Sequence, residues 1–338
     1  MIIDAHHHCL PRSVYAKYHD PTALPKRIFM NNGDFVFNMK MHLMDERIAD
    51  MDYAGVDKAI LTMAQFGNIA GPEFCREINE AYAEMMVTMG DRFLMAGCVP
   101  TEDTEKAVAE IEYQINELKF CGISLLTSHN ENLTMSTKEK MFPIFQKCVE
   151  LDVPIFIHPH LKPYGQEVEC TINRSVGRGI DTCKATVRII YDVLPHFPNL
   201  KIVIPHYGGA LLSLKGRIMN FYEPPAELGL QETNPQYKEL AKTPLELEEL
   251  GYDKAFNDMF DKLYIDGAGS GGWIHITEMA LRTVKPDKLI WGTDYPYEIH
   301  AGRDIKYYID SLNNMDISEE DKKAFLGGNV AKLIKLKI

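Results

Sequence analysis

Residues 2–8 read IIDAHHH, a β-branched start that runs straight into three consecutive histidines. Seven further short apolar runs follow: KAILTM (58–63), FLMAGCV (93–99), GISLLT (122–127), VPIFIHP (153–159), KIVIPH (201–206), KLYIDG (262–267) and KLIWGTD (288–294). Several are nearly continuous in Val, Ile, Leu and Phe, the composition of parallel strands covered on both faces. Longer stretches with helical spacing separate them. In GPEFCREINEAYAEMMVTMG (71–90), Phe74, Ile78, Ala81, Met85 and Met89 recur at steps of three and four; this stripe reads as core packing, and Gly90 can cap the end.

Eight strands alternating with helices predict a closed α/β (β/α)8 TIM barrel. An open doubly wound sheet would favour a GxGxxG turn after strand 1, and none follows. A length of 338 residues fits one such barrel, so residues 1–338 are expected to form a single domain. Residues 9–44 and 207–256 exceed ordinary connections and follow strand C-terminal ends, so they read as insertions after strands 1 and 6 that shape a pocket. The stretch ISEEDKKAFLGGNVAKLIKL (317–336) closes the chain as a helical segment with Ser318 as N-cap.

Composition narrows the function. Hydrophobic residues make up 46% and charged residues 25%, as in globular proteins, which excludes disordered, collagen-like and coiled-coil classes. With 48 acidic and 36 basic residues the net charge is -12, which argues against a nucleic-acid partner that needs a broad basic face. Any anionic ligand must meet local positive charge. The opening MIIDAHHH has no cationic stretch before an apolar one, and no run approaches the ~18 apolar residues of a membrane span, so a cytoplasmic protein without a membrane partner is expected. Seven scattered cysteines, never in CxxC, predict reduced thiols, most of them small core residues.

The histidines carry the chemistry. In a strand, alternate side chains share a face, so His6 and His8 point one way and His7 the other. Positions two apart lie about 6–7 Å from each other, close enough for two imidazoles to meet one ion at about 2.0–2.1 Å. A tag remnant or solvated tract is the bland alternative, but the triplet lies inside a hydrophobic strand pattern. His158 ends strand 5 and His206 ends strand 6; either alone would more often be a core or rim histidine. Asp294 ends strand 8, and an acid after so apolar a run is costly to bury unless paired with a cation. Closing the barrel sets strand 8 beside strand 1, so five groups from four strands point into one basin. Together they predict a metal site.

This constellation resembles the amidohydrolase superfamily, and within it the amidohydrolase-related branch of aminocarboxymuconate-semialdehyde decarboxylase, γ-resorcylate-type decarboxylases, hydratases and lactone hydrolases. The likeness runs through IDAHHH, RIADMDYAGVDKAIL (47–61), IHPH, PHYGG, GTDYPYE and GNVAKLI (328–334). It implies His6, His8, His158 and Asp294 as metal ligands, and His206 and Asp294 as the catalytic pair. GISLLTSHNE contains no lysine to bridge a second metal, so one divalent ion is expected, zinc first with manganese as the alternative, and no organic cofactor. Three neutral imidazoles and one carboxylate around such an ion leave a formal charge of about +1, enough to draw in a small-molecule carboxylate substrate.

The same parts serve two chemistries. Decarboxylation of a small carboxylated aromatic or unsaturated acid would use a proton from Asp294 or His206; hydrolysis of a lactone or amide would use His206 to stabilise an oxyanion. The TDYPYE resemblance favours the decarboxylase. A hydratase, or a barrel that only binds metal, are further alternatives.

Arg174 and Arg178, in INRSVGRGID after strand 5, are candidates to hold a substrate carboxylate, and Glu298 to touch substrate; surface placement is the alternative for each. His160 reads as a supporting or solvent-facing residue, Arg47 as an exposed ion-pairing one, and Trp291, Tyr295 and Tyr297 as pocket lining or barrel packing. Two departures stand out. Residues 31–46 lack the substrate-binding arginine of the muconate-semialdehyde enzyme, and His6 stands where γ-resorcylate-type enzymes often carry Glu. The resemblance further implies a homodimer or higher homo-oligomer.

Overall fold

All eight apolar runs form strands: β1 (Ile3–His8), β2 (Lys58–Thr62), β3 (Phe93–Cys98), β4 (Gly122–Leu126), β5 (Ile155–His158), β6 (Ile202–Ile204), β7 (Tyr264–Asp266) and β8 (Leu289–Ile290). The computed structural model describes residues 1–337 except 31–32, 65–71, 131–132, 161–171, 223–254 and 271. The strands pair in parallel and in chain order from β1 to β8.

β8 is shorter than its apolar run, and the barrel closes through the residues that follow it. Ala5 N–H donates to Trp291 O (3.1 Å), Asp294 N–H to His6 O (2.9 Å) and His8 N–H to Tyr295 O (2.7 Å). Gly292 permits this approach, because a Cβ there would lie 2.8 Å from the Cβ of His6. Asp4 staples the seam. Its carboxylate accepts from Thr293 N–H (3.1 Å), Thr293 Oγ1 (2.5 Å), His6 N–H (3.1 Å) and His7 Nδ1 (2.6 Å).

A register shift in β1 between Asp4 and His7 changes which face the side chains take. Ile3 and Ala5 join Ile60, Ala96, Phe156, Val203 and Ile290 in an apolar cluster drawn from alternate strand positions. Val330, Ala331 and Leu333 of the helix Asn329–Leu333 complete it, and the turn before them presses on the start of β1, where a Cβ on Gly327 would meet Met1 O at 2.5 Å. The intervening strand positions, such as Leu61, Met95, Ile123 and Ile155, pack in a second, larger cluster with the surrounding helices. The Met85 and Met89 stripe lies on helix Pro72–Met89 and packs against that cluster.

After β1 the expected insertion contains helix Arg12–Tyr15 and an antiparallel hairpin, Lys26–Met30 with Gly33–Phe37, before helix Met44–Ala54. The second expected insertion, 207–256, lies mostly outside the described residues; its start carries helix Leu211–Tyr222. A small hairpin after β4, Ser128–Asn130 with Leu133–Thr134, was not expected. Ser318 caps the C-terminal helical segment, accepting from Asp321 N–H at 3.0 Å. The six described cysteines are free, and Cys170 lies outside the described residues.

Arg47 contradicts its expected exposure. It is 0% exposed, its guanidinium sits 4.9 Å above the Tyr295 ring, and Nη2 donates to Lys40 O at 2.7 Å. The polar face of its helix looks solvated in sequence, but the first insertion and the Tyr295 turn cover it.

Removing the seam acceptor should be costly, because four donors lose a buried partner together. Asp4→Ala is expected to lower the free energy of unfolding in urea by about 3–5 kcal/mol. Asp310→Ala, which removes only the exposed 3.0 Å pair with Lys306, should cost under about 1 kcal/mol. Equal midpoints for the two variants would refute the staple.

Candidate metal centre

Strand ends bring the predicted groups together. Ring centroids separate His6 from His8 by 4.9 Å, from His158 by 5.6 Å and from His206 by 5.0 Å, while His8 and His158 lie 5.0 Å apart. Donor atoms of His6, His158, His206 and Asp294 all fall within 4.8 Å of one another. His8 adjoins this group, with Nε2 3.2 Å from His6 Nε2 and 2.9 Å from Asp294 Oδ1. His206 thus stands among the donors and not apart from them. His7 faces away, as alternation requires, and stacks on Tyr295 at 4.7 Å.

The far nitrogen of three rings is already committed. His6 Nδ1 lies 2.8 Å from Asp266 Oδ2, His8 Nδ1 donates to Thr62 O at 2.9 Å, and His158 Nδ1 to Pro159 O at 2.8 Å. Each bond leaves Nε2 as the group available to the basin. His206 Nε2 is buried without a hydrogen-bond partner, and Asp294 Oδ1 is turned to ring nitrogens, His8 Nε2 at 2.9 Å and His6 Nε2 at 3.6 Å. An orphaned ring nitrogen beside further imidazoles and a carboxylate is the donor chemistry of a divalent cation, so the residues present fit a single such ion.

The electrostatics follow from burial and crowding. Burial opposes the protonated form of His6, but Asp266 and Asp294 more than reverse this and raise its pKa to about 9. Burial holds His206 down to about 4 and His158 well below the ordinary imidazole value. His206 is therefore neutral at pH 7. Burial alone would raise Asp294, yet the His8, His206 and His6 rings hold it well below the usual carboxylate range. His206 and Asp294 also sit in left-handed backbone, at φ 54° and 58°.

The secondary candidates divide. Arg174, in a π-turn at Asn173–Gly177, and Arg178, opening helix Arg178–Arg188, both act electrostatically on Tyr297 and Glu298. Glu298 is exposed at its surface, and protein packed around it together with the Asp294 charge pushes its carboxyl up. Tyr297 faces His8 at 5.5 Å and donates to Val36 O (3.1 Å), linking the first insertion to the basin. Trp291 packs with Tyr308 at 5.9 Å, away from the donors. His160 is buried, not solvent-facing; its N–H donates to Thr127 Oγ1 (2.9 Å) and Asp181 Oδ2 (3.1 Å).

Asp266 and Asp4 were missed in the sequence. The signal for Asp266 was present: it follows the apolar residues of KLYIDG as Asp294 closes KLIWGTD, and the same cost of burying an acid applies.

Eight parallel strands with imidazoles and a carboxylate at their C-terminal ends are the layout of a barrel enzyme with a divalent metal centre. The chain belongs to the amidohydrolase family, whose family model matches residues 3–336. It is 26% identical to 2-amino-3-carboxymuconate-6-semialdehyde decarboxylase of Dictyostelium discoideum, over 99% of this chain and 91% of that one. It is 25% identical to gamma-resorcylate decarboxylase of Polaromonas sp., over 88% of each chain. A crystal structure of 5-carboxyvanillate decarboxylase from Novosphingobium aromaticivorans, complexed with manganese and 4-hydroxy-3-methoxy-5-nitrobenzoic acid, shares the fold. Its TM-score is 0.76 at 22% identity, over 99% of this chain and 96% of that one. Among the described residues, no helix is long and apolar enough to cross a membrane.

The His6 shift fixes a pH dependence. In the metal-free chain, stability from the raised pKa is fully present below about 6.5 and is lost as pH rises through about 9. A cation held by His6 would need the neutral ring, so uptake at pH 7 should expel about one proton, and affinity should climb toward pH 9. Calorimetry in buffers of different ionisation heat measures this; buffer-independent heats would contradict it.

Proposed function

We propose that this chain is a non-oxidative decarboxylase of a small carboxylated aromatic or unsaturated acid, working with one divalent ion. The observation that carries the reading is the convergence of His6, His158, His206 and Asp294 donors within 4.8 Å. The relatives named above, all called decarboxylases, support the choice of reaction. His6, His8, His158 and Asp294 would hold the ion, with His206 beside them. Zinc suits three imidazoles; manganese suits the carboxylate and is the ion in the 5-carboxyvanillate enzyme. When bound, the ion supplies Lewis-acid polarisation and charge neutralisation at the substrate's oxygens.

The chain's own residues do the rest. Arg174 and Arg178 bring cationic charge to a protein of net charge -12 and draw in the substrate carboxylate. Glu298, at the rim, contacts the substrate. Neutral His206 donates a hydrogen bond to a substrate oxygen. Asp294, an ionised carboxylate 4.0 Å from His206, takes the proton of a substrate hydroxyl and returns it to carbon. The bond to the carboxylate carbon breaks with its electron pair left behind, carbon dioxide departs, and the returned proton completes the product. We include in the proposal a cytoplasmic homo-oligomer built of single-domain barrels.

Protein reconstituted separately with zinc and manganese should release carbon dioxide from members of a hydroxybenzoate panel. Acid release from a lactone panel with no carbon dioxide from the first would replace the decarboxylase by a hydrolase. On an identified substrate, His206→Ala should keep stoichiometric metal and lose turnover about 10²–10⁴-fold. An unchanged rate would remove His206 from the reaction.

A further inference from the structure

Resting on that metal reading, we infer that Asp266 is a positioning residue whose two oxygens set the metal-facing nitrogen of His6 and the backbone of His206 at once. It is 2% exposed and ends β7, a strand that contributes none of the expected ligands. Oδ2 lies 2.8 Å from His6 Nδ1, while Oδ1 accepts from His206 N–H (2.9 Å) and Ala268 N–H (3.1 Å).

Each contact has a chemical consequence. A neutral imidazole carries one N–H, and an acceptor-only partner at Nδ1 places it there, leaving the lone pair on Nε2. His6 Nε2 is the atom that faces the basin, 3.2 Å from His8 Nε2 and 3.6 Å from Asp294 Oδ1. The second oxygen fixes the amide of a residue held at φ 54°, a conformation that a non-glycine residue keeps only when its surroundings impose it. The loop after β7 completes the support: a Cβ on Gly269 would lie 2.9 Å from His206 Cδ2, so that loop backs directly onto the ring. One strand end therefore aligns a metal ligand and a reaction histidine without touching substrate.

Asp266→Asn separates this role from mere packing. Its carbonyl can keep the His206 and Ala268 bonds, but its NH2 can only donate toward His6 Nδ1, which drives the ring proton to Nε2, the side of the ion. Manganese titration, with the free ion followed by electron paramagnetic resonance, should show a 10–100-fold weaker affinity than the unmodified chain. The thermal midpoint of the metal-free variant and its circular dichroism report whether it folds. Long-range ¹⁵N correlation spectra of the zinc-loaded unmodified chain should place the His6 proton on Nδ1. Unmodified protein that holds manganese while Asp266→Asn holds it equally well overturns the role of Asp266 and leaves the metal reading intact. Unmodified protein that holds no ion overturns both. If the variant does not fold, the spectra decide: a His6 proton on Nε2, or ligation through Nδ1, overturns the inference.

Discussion

Closure of the barrel at the β1–β8 seam is the constraint on which the centre depends. His6 and His8 belong to the first strand and Asp294 follows the last, so the donors meet only when the ends of the sheet are joined. β8 itself is two residues long, and the seam is carried by backbone bonds from residues 291–295 and by the Asp4 carboxylate. Asp4 is acceptor-rich and 1% exposed, and every donor around it would be stranded without it. Because Asp294 N–H bonds to His6 O, the bond that closes the sheet also sets the carboxylate beside the imidazole.

That closure concentrates charge where water is scarce. Asp266 and Asp294 face a cluster of rings whose own burial disfavours protonation, and the outcome differs from ring to ring. His6, between two carboxylates, is driven toward the cation; His158 and His206, crowded by other rings, are driven to neutrality. A divalent ion held there would replace the proton on His6 and meet neutral rings already aimed inward, and so would compensate the buried carboxylates without rearranging their supports. On the opposite face of β1, Arg47 and His7 flank the Tyr295 ring, and burial with the nearby guanidinium holds His7 at about 4. The outward histidine is thereby kept neutral and dedicated to Asp4.

Much of this was legible in the chain. Period-two alternation separates His7 from His6 and His8, and apolar runs ending in His or Asp mark β1, β5, β6 and β8, because those residue types survive at a buried strand end only with partners. The same rule, applied evenly, would have found Asp266. Arg47 was not legible: its helix has a polar face, and only the fold of the first insertion decides whether water or protein covers that face. The extent of β8 was hidden for a related reason. KLIWGTD is strand-like throughout, but Gly292 lets the chain pass hard against His6, and past that point the hydrogen bonds belong to closure. The hairpins after β1 and β4 carry too few residues of one periodicity to stand out from loop.

His206 and Asp294, the pair proposed to act on substrate, also show why these positions resist prediction from propensity. His206, Tyr207 and Asp294 all adopt positive φ, each against a preference of about 1 kcal/mol or more. Such a backbone persists only if neighbours hold it, and the neighbours are specific. Tyr207 Oη is bound to Thr277 Oγ1 (2.6 Å) and Tyr308 Oη (2.7 Å), and Tyr308 in turn donates to Gly267 O (2.9 Å). The turn after β6 is thus tied by hydroxyls to the turn after β7, and by Asp266 to β1. Strain at His206 is balanced by the Asp266 bond from the end of β7 and by the helix hydroxyls that anchor Tyr207 beside it, which is the arrangement expected when a side chain must point into the mouth of a barrel and not along its wall.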